Sequence, residues 1–280
     1  MSASLAVFST LSAVSGSALA GGPERRFAFA YESGVVAPGE AQLETWSTAR
    51  VGRVQYYSAL DQRLGFALGL APNLQTAAYL DFSAVAEGVR LPSQITRTHF
   101  AQTQDDLRFV GVTSETRYKL LDSLADPLGA AVLIQGSYGP RRVDVGGRLI
   151  IDKQVYNLLL AANVAGLQRW ELALTSRDDW PRFSDADSTQ HFEADLAFGY
   201  FFMPQLTAGI EALNVTRANA GDIAVSSIYV GPSVAYAAER YWLVLNAAPQ
   251  VFAFKGETSG HLDLARGERV WARLLIGFRI

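Results

Sequence analysis

Hydrophobic and polar positions alternate with a period of two along most of the chain. In the C-terminal run, Val270, Ala272, Leu274, Ile276, Phe278 and Ile280 share one parity, and Trp271, Arg273, Leu275, Gly277 and Arg279 share the other. A β-strand sends successive side chains to opposite faces. One face of this run is therefore wholly apolar, while the other carries two arginines. Phe192, Ala194, Leu196, Phe198, Tyr200 and Phe202 oppose His191, Glu193, Asp195, Ala197 and Gly199 in the same way. So do Leu64, Phe66, Leu68 and Leu70, with Asp61 and Arg63 ahead of them on the other face, and then Leu74, Thr76, Ala78, Leu80 and Phe82 against Gln75, Tyr79 and Asp81.

The pattern predicts twelve strands, over 40–53, 55–70, 74–83, 105–121, 130–138, 142–152, 155–174, 190–202, 206–217, 223–237, 241–254 and 268–280. Most are ten residues or longer. A soluble strand averages about five or six residues, and a strand that crosses a bilayer needs about nine to eleven. Short connectors at 71–73, 122–129, 152–154, 203–205 and 238–240 largely alternate with longer polar ones at 84–104, 176–190 and 255–268; 139–142 is a short member of the longer set. Outer-membrane barrels alternate short turns and longer loops in this manner. Two segments resist. In 105–121, Leu107 and Phe109 share parity with Glu115, Arg117 and Lys119, and a bulge near Gly111 would restore the phase. The segment 155–174 is apolar on both faces around Leu158-Leu159-Leu160, so period alone leaves strand and helix both open.

Composition bears on which way the apolar faces point. Charged residues make up 18% of the chain, below the roughly 25% of an ordinary soluble domain. No stretch reaches the ~18 consecutive apolar residues of a membrane helix, and a chain that crosses lipid without helices must be a closed barrel. Tyr118, Tyr200, Phe202, Tyr236, Tyr241 and Phe278 gather near predicted strand ends, as in an interfacial aromatic girdle. The polar faces mix both signs of charge with Gly and Ala. Together these predict an all-β fold, a closed antiparallel transmembrane β-barrel of about 12 strands with its apolar faces outward; the competing reading is an exported soluble barrel or sandwich with the faces reversed. A twelve-stranded barrel has a backbone diameter of about 24 Å and an open lumen of about 12 Å or less. Its lumen would be lined by Gln42, Glu44, Arg50, Asp61, Arg63, Tyr79, Asp81, Asp144, Arg148, Glu193, Asp195, Glu211, Arg273 and Arg279. Mixed signs favour pairing along the wall and a wet, weakly selective or partly plugged interior over a strong ion filter.

The net charge of −3 with no basic block argues against nucleic acid. The absence of cysteine excludes disulfides and thiolate metal sites, and no cofactor motif occurs. Residues 5–20 are apolar or small and end Ala18-Leu19-Ala20, a signal-peptidase pattern, although no Lys or Arg precedes Leu5. Residues 1–20 are read as a signal peptide, 21–39 as an N-terminal periplasmic segment and 40–280 as the barrel.

The closing stretch Trp271-Ala272-Arg273-Leu274-Leu275-Ile276-Gly277-Phe278-Arg279-Ile280 resembles the C-terminal signal strand of gram-negative outer-membrane barrels, with Ile280 where Phe or Trp is usual. Glu44-Thr45-Trp46-Ser47-Thr48-Ala49-Arg50, Gly69-Leu70-Ala71-Pro72-Asn73-Leu74-Gln75, and Tyr118-Lys119-Leu120-Leu121 through Asp126-Pro127-Leu128-Gly129 resemble a largely uncharacterised, in part transport-like, group of outer-membrane barrel proteins. The resemblance implies the outer membrane of a gram-negative bacterium. It implies membrane lipids, periplasmic chaperones and the barrel-assembly machinery as partners, with Gly277, Phe278 and Ile280 as the assembly signal.

Candidate chemistry is sparse. His99, His191 and His261 are scattered, without metal-ligand spacing. Ser188, His191 and Glu193 lie close enough in sequence to suggest a Ser-His-carboxylate set for lipid hydrolysis, a spacing common by chance. The loop 178–187 carries Asp178, Asp179, Asp185 and Asp187 without the Gly and terminal Glu of an EF-hand, and reads as a solvated acidic loop. Arg141-Arg142 offers a contact to anionic headgroups if its turn is external. The expected function is non-enzymatic: a passive channel or transport protein for an unspecified small molecule through a polar lumen. The alternative is a sealed structural or adhesive barrel acting through its external loops, and the lesser alternative an outer-membrane lipid hydrolase.

Overall fold

Each strand finds its backbone partners in its sequence neighbours, and the first and last find each other. The computed structural model describes residues 24–90, 100–104, 107–173, 182–256 and 260–280. The strands are β1 (Ala41–Val51), β2 (Tyr56–Ala71), β3 (Leu74–Arg90), β4 (Phe100–Gln104), β5 (Arg108–Leu121), β6 (Gly129–Tyr138), β7 (Arg142–Val155), β8 (Leu158–Ala173), β9 (Arg182–Met203), β10 (Leu206–Asn219), β11 (Asp222–Ala237), β12 (Tyr241–Lys255) and β13 (Val270–Arg279). β4 and β5 pair in turn with the two ends of β3 and act as one stave, so the wall has twelve. β13 closes antiparallel on β1, from Gln42↔Arg279 to Val51↔Val270. The chain thus forms the closed antiparallel barrel its periodicity predicts. The predicted signal peptide, His99 and residues 178–181 lie outside the described residues.

The faces are those of a membrane barrel. Leu64, Leu149, Leu196 and Leu245 are 46–64% exposed on the outside, while Glu211 and Asp195 are 1% exposed within. Exposed aromatics ring both ends. Tyr118, Tyr200, Phe202, Tyr241 and Phe278 stand at the rim of short turns, and Tyr56, Phe109, Tyr138 and Phe254 at the rim of longer loops.

The two ambiguous segments resolve as strands. Asp81 pairs with Gly111 and Phe82 with Phe109, leaving Val110 as the extra residue of a bulge. β8 points Leu158, Leu160 and Val164 outward, with Leu159, Ala161 and Asn163 inward. Elsewhere strands outrun the expected loops: β3 continues to Arg90 and β9 starts at Arg182. Residues 84–88 keep their ladder with 56–60, but Ala84, Ala86, Glu87 and Gly88 carry no sustained apolar face. A ladder that has left the lipid band needs none, so hydropathy has nothing to report there.

The segment read as periplasmic, 21–39, lies inside the barrel over most of its described part. Residues 24–36 are buried throughout. Phe27, Phe29, Tyr31 and Val36 would be costly to leave in water, and the inner wall supplies acceptors for their N–H groups. The segment leaves across β2 at the turn rim, where Gly39 N–H donates to Gly69 O at 3.0 Å. A Cβ at Gly69 would fall 2.1 Å from Ala37 O and 2.4 Å from Val36 O, so only glycine lets the chain pass this close.

Candidate functional site

A segment that enters a barrel has no strand beside it, so side chains must meet its backbone groups. Glu211, on β10, does most of this. Its Oε1 accepts from Ala28 N–H at 2.8 Å, and its Oε2 accepts from Phe29 at 2.7 Å and Ala30 at 3.1 Å. Asn163, on β8, pairs both ways with Tyr31, accepting from its N–H at 2.6 Å and donating to its carbonyl at 3.0 Å. Asp152 accepts from Ser33 N–H at 3.1 Å, and Gln75 from Val36 N–H at 2.9 Å. Arg117 donates to Gly34 O at 2.9 Å, and Arg273 to Ala28 O at 3.2 Å. Glu24 pairs with Arg279 at the turn rim.

The aromatic side chains fill what remains. Phe27 lies over Gly199. The Arg273 guanidinium sits 4.2 Å from the Phe29 ring centre. Tyr31 meets Trp46 edge-on at 6.2 Å, with the guanidinium of Arg25 at 3.9 Å and of Arg148 at 4.8 Å from its ring centre. The segment therefore enters at the turn rim, reaches its deepest point at Phe29–Tyr31 and returns. It stoppers the turn-side half of the bore.

On the loop side of this stopper a cavity of about 700 Å³ remains, floored by Phe29 and Tyr31. Its walls are charged and cross-linked. Arg50 Nε bonds Asp61 at 2.8 Å and its Nη1 bonds Glu268 at 3.2 Å. Arg63 bridges Asp81 at 2.7 Å and Glu115 at 3.0 Å. Arg148 bridges Glu193, at 2.6 Å, and Asp195. Arg169 grips Asp144 with two bonds of 2.8 and 3.0 Å. Glu268, in the loop before β13, also takes Arg53. Burial pushes its carboxyl up, but Arg50 and Arg53 outweigh that and hold it below the ordinary range.

All the lumen residues proposed from sequence face inward, but they divide between two places. Arg50, Asp61, Arg63, Asp81, Arg148, Glu193 and Arg273 line the cavity, with Asp144 and Asp195 behind as partners of Arg169 and Arg148. Glu44, Tyr79, Glu211 and Arg279 belong with the stoppered half. Glu44 accepts from the Trp46 indole at 2.9 Å, and Tyr79 packs on that indole at 5.5 Å. Gln42 is buried inside beside Gly277. Gln75, Asp152, Asn163, Arg117, Arg169 and Arg217 were not singled out by sequence, although each has inward parity on its strand.

Other expectations are corrected. Ser188 differs in parity from His191 and Glu193 on the uninterrupted strand β9, so it faces away from them, and the His191 ring nitrogen instead meets Thr189 Oγ1 at 3.2 Å. Arg141 and Arg142 line the cavity, with Arg142 3.5 Å from Asp144, and so turn inward, not toward headgroups. His261 stacks on Phe252. No cluster of three or more metal-ligating residues occurs among the described residues.

In fold the chain is similar to the COG4313 outer membrane channel from Pseudomonas putida F1, with a TM-score of 0.57 at 10% identity over 89% of this chain and 98% of that one. Weaker likenesses reach the KdgM porin (TM-score 0.46, 9% identity, 85% of this chain and 98% of that one) and the NanC porin (0.47, 11%, 84% and 98%). Identity this low speaks to barrel architecture alone. No curated protein matches the chain in sequence. The model of a family of unknown function (DUF6662) matches residues 19–280. That match takes in the buried N-terminal segment together with every strand of the wall, and the chain belongs to this family.

Proposed function

We propose that the protein is an outer-membrane channel for small polar solutes, held shut in this conformation by residues 24–36. The turn rim faces the periplasm and the loop rim the exterior of a gram-negative cell. One observation carries the reading: a charged cavity inside a closed barrel ends on a chain segment fastened by side chains and not woven into the sheet. A barrel serving only as a scaffold has no use for a cavity of about 700 Å³ walled by ion pairs. Release of the segment would leave the wall's ladders whole, because no residue of 24–36 takes part in them. The bare bore, about 12 Å or less across, admits small molecules and excludes folded protein.

Catalysis finds no support, since Ser188 faces away from His191. Assembly is read from Gly277, Phe278 and Ile280. Phe278 points to the lipid side, and Ile280 N–H donates to Ala41 O at 2.9 Å across the seam. Planar-bilayer recordings test the channel. The full chain is expected to conduct weakly or intermittently, and a form lacking 24–36 to conduct steadily, at least about tenfold more. Absence of conductance steps and of solute flux from both forms would leave the sealed structural barrel as the reading.

A further inference from the structure

We infer that the cavity on the loop side is a binding site for small oxyanions, molecules bearing a carboxylate or phosphate group, held by the wall of β7–β10. Its meaning as a selectivity device rests on the channel reading; the binding itself does not. Four consecutive strands each bring a basic side chain to this wall: Arg142 on β7, Arg169 on β8, His191 on β9 and Arg217 on β10. The register sets them side by side. Arg217 pairs directly with His191. Arg169 pairs with Thr189, whose hydroxyl touches the His191 ring, and on its other side with Asp144.

Two carboxylates lie beside them: Glu193, which Arg148 takes, and Asp144, which is divided between two guanidiniums, a two-bond grip on Arg169 and a contact of 3.5 Å to Arg142. Arg217 spends its Nη2 on the carbonyl of Arg266, at 2.9 Å, so that hydrogen bond answers none of its charge. The opposite wall has the reverse stoichiometry. There Arg50, Arg53 and Arg63 share Asp61, Glu268, Asp81 and Glu115, four carboxylates to three arginines. Nine arginines line the cavity, and the carboxylates that line it or pair with these arginines from behind number seven among the described residues. Arg148 on β7 is matched by Glu193 and Asp195, so the surplus on this wall sits at its loop-side end, where Arg142, Arg169 and Arg217 face Asp144. Guanidinium forks match the paired oxygens of carboxylate and phosphate, and a low-dielectric cleft of one sign concentrates the opposite ion. A neutral sugar gains nothing from such a wall.

Trp46 and Trp271 line the same cavity and report on its occupancy. The full chain, refolded in detergent at low salt, is titrated with inorganic phosphate, with glucuronate and with glucose, read by tryptophan fluorescence and calorimetry. At least one oxyanion is expected to bind at least about tenfold more tightly than glucose, with an affinity that falls as salt rises. Phosphate alone would identify a free inorganic ion as the occupant, and glucuronate alone an acidic sugar. R217Q is expected to weaken binding about threefold, and R142Q with R169Q about tenfold. Circular dichroism and heat-dependent gel mobility identify the variants that remain folded. Oxyanions binding no better than glucose, or folded variants binding like the parent, would overturn the inference.

A KCl gradient across a bilayer holding the form without 24–36 separates the two readings. A reversal potential displaced toward that of chloride supports both. Conductance with no preference for anions sinks the selectivity role and leaves the channel, whereas binding without any conductance keeps the site and sinks the channel.

Discussion

The two halves of the bore share one wall and have opposite characters. On the turn side the inward carboxylates and amides face peptide N–H groups: Glu211 takes three and Asp152 and Asn163 one each. On the loop side the carboxylates face guanidiniums, as in Arg50–Asp61, Arg63–Asp81 and Arg169–Asp144. What a buried acid meets thus distinguishes a seat from a lining. Glu211 pairs across the sheet with Ala197 and Gly231, neither of which could satisfy it. Asp61, by contrast, stands opposite Thr48 with Arg50 on the diagonal, opposite Ala59, and finds its partner within the wall.

The sharpest way to break this contrast is to weld the seat. A Cβ built at Gly129 lies 2.4 Å from Ser33 Oγ and from Asp152 Oδ1, so once the Asp152 carboxylate shifts aside a disulfide to position 33 is within reach, and the chain has no cysteine to interfere. With Ser33→Cys and Gly129→Cys, oxidation is expected to abolish openings in bilayer recordings and reductant to restore them. If the oxidised and reduced proteins conduct alike, solutes do not pass the segment.

Loosening the seat should act in the other direction. Hydrogen bonds to an ionised group contribute about 1.5–3 kcal/mol each. Glu211→Gln removes the charge and leaves one acceptor oxygen for the three peptide donors and the Asn246 amide, so a loss of about 2–4 kcal/mol is expected, enough to raise the open-to-closed ratio by a factor of tens or more. Open probability is the readout, and an unchanged value would show that Glu211 does not hold the segment.

A change in the wall itself should leave the contrast intact. A Cβ on Gly277 would lie 2.3 Å from Trp242 Cε2 and 2.6 Å from Gln42 Nε2. Gly277→Ala is expected to cost about 1–3 kcal/mol of barrel stability by overpacking the seam, measured by urea unfolding, with single-channel conductance unaltered.

The smallest effect concerns pH. Arg50 and Arg53 depress the Glu268 carboxyl despite its burial. Its contribution is therefore complete above the ordinary carboxylate value of about 4.3 and is lost only as pH falls through the depressed one. Limited proteolysis of the loop 256–269 should not change between about pH 8 and pH 5. Glu268→Gln should speed it at neutral pH.

Much of the wall was legible because a period of two needs only a lipid side and a wet side to show itself. The bulge beside Gly111 could be read from a phase conflict between Phe109 and Glu115. The stopper was harder. Phe27, Phe29 and Tyr31 alternate with Ala28 and Ala30, yet five residues are too few to distinguish a lone peptide from a strand edge. The signal that was present lay elsewhere, in acids such as Glu211 whose strand neighbours are small and uncharged. Finding it requires the register, which no single strand contains. The upper ends of β3 and β9 were missed for a different reason, since beyond the lipid band the hydrogen-bond ladder persists while the greasy face disappears.

The anchors of the buried segment are spread over β3, β7, β8, β10 and β13. These are laid down long after the segment itself has been made. A half-built wall therefore offers it nowhere to dock, and its three aromatic rings stay available to whatever escorts the nascent polypeptide. Maturation and closure become one event, so an unfinished copy in the membrane would betray itself as a leak.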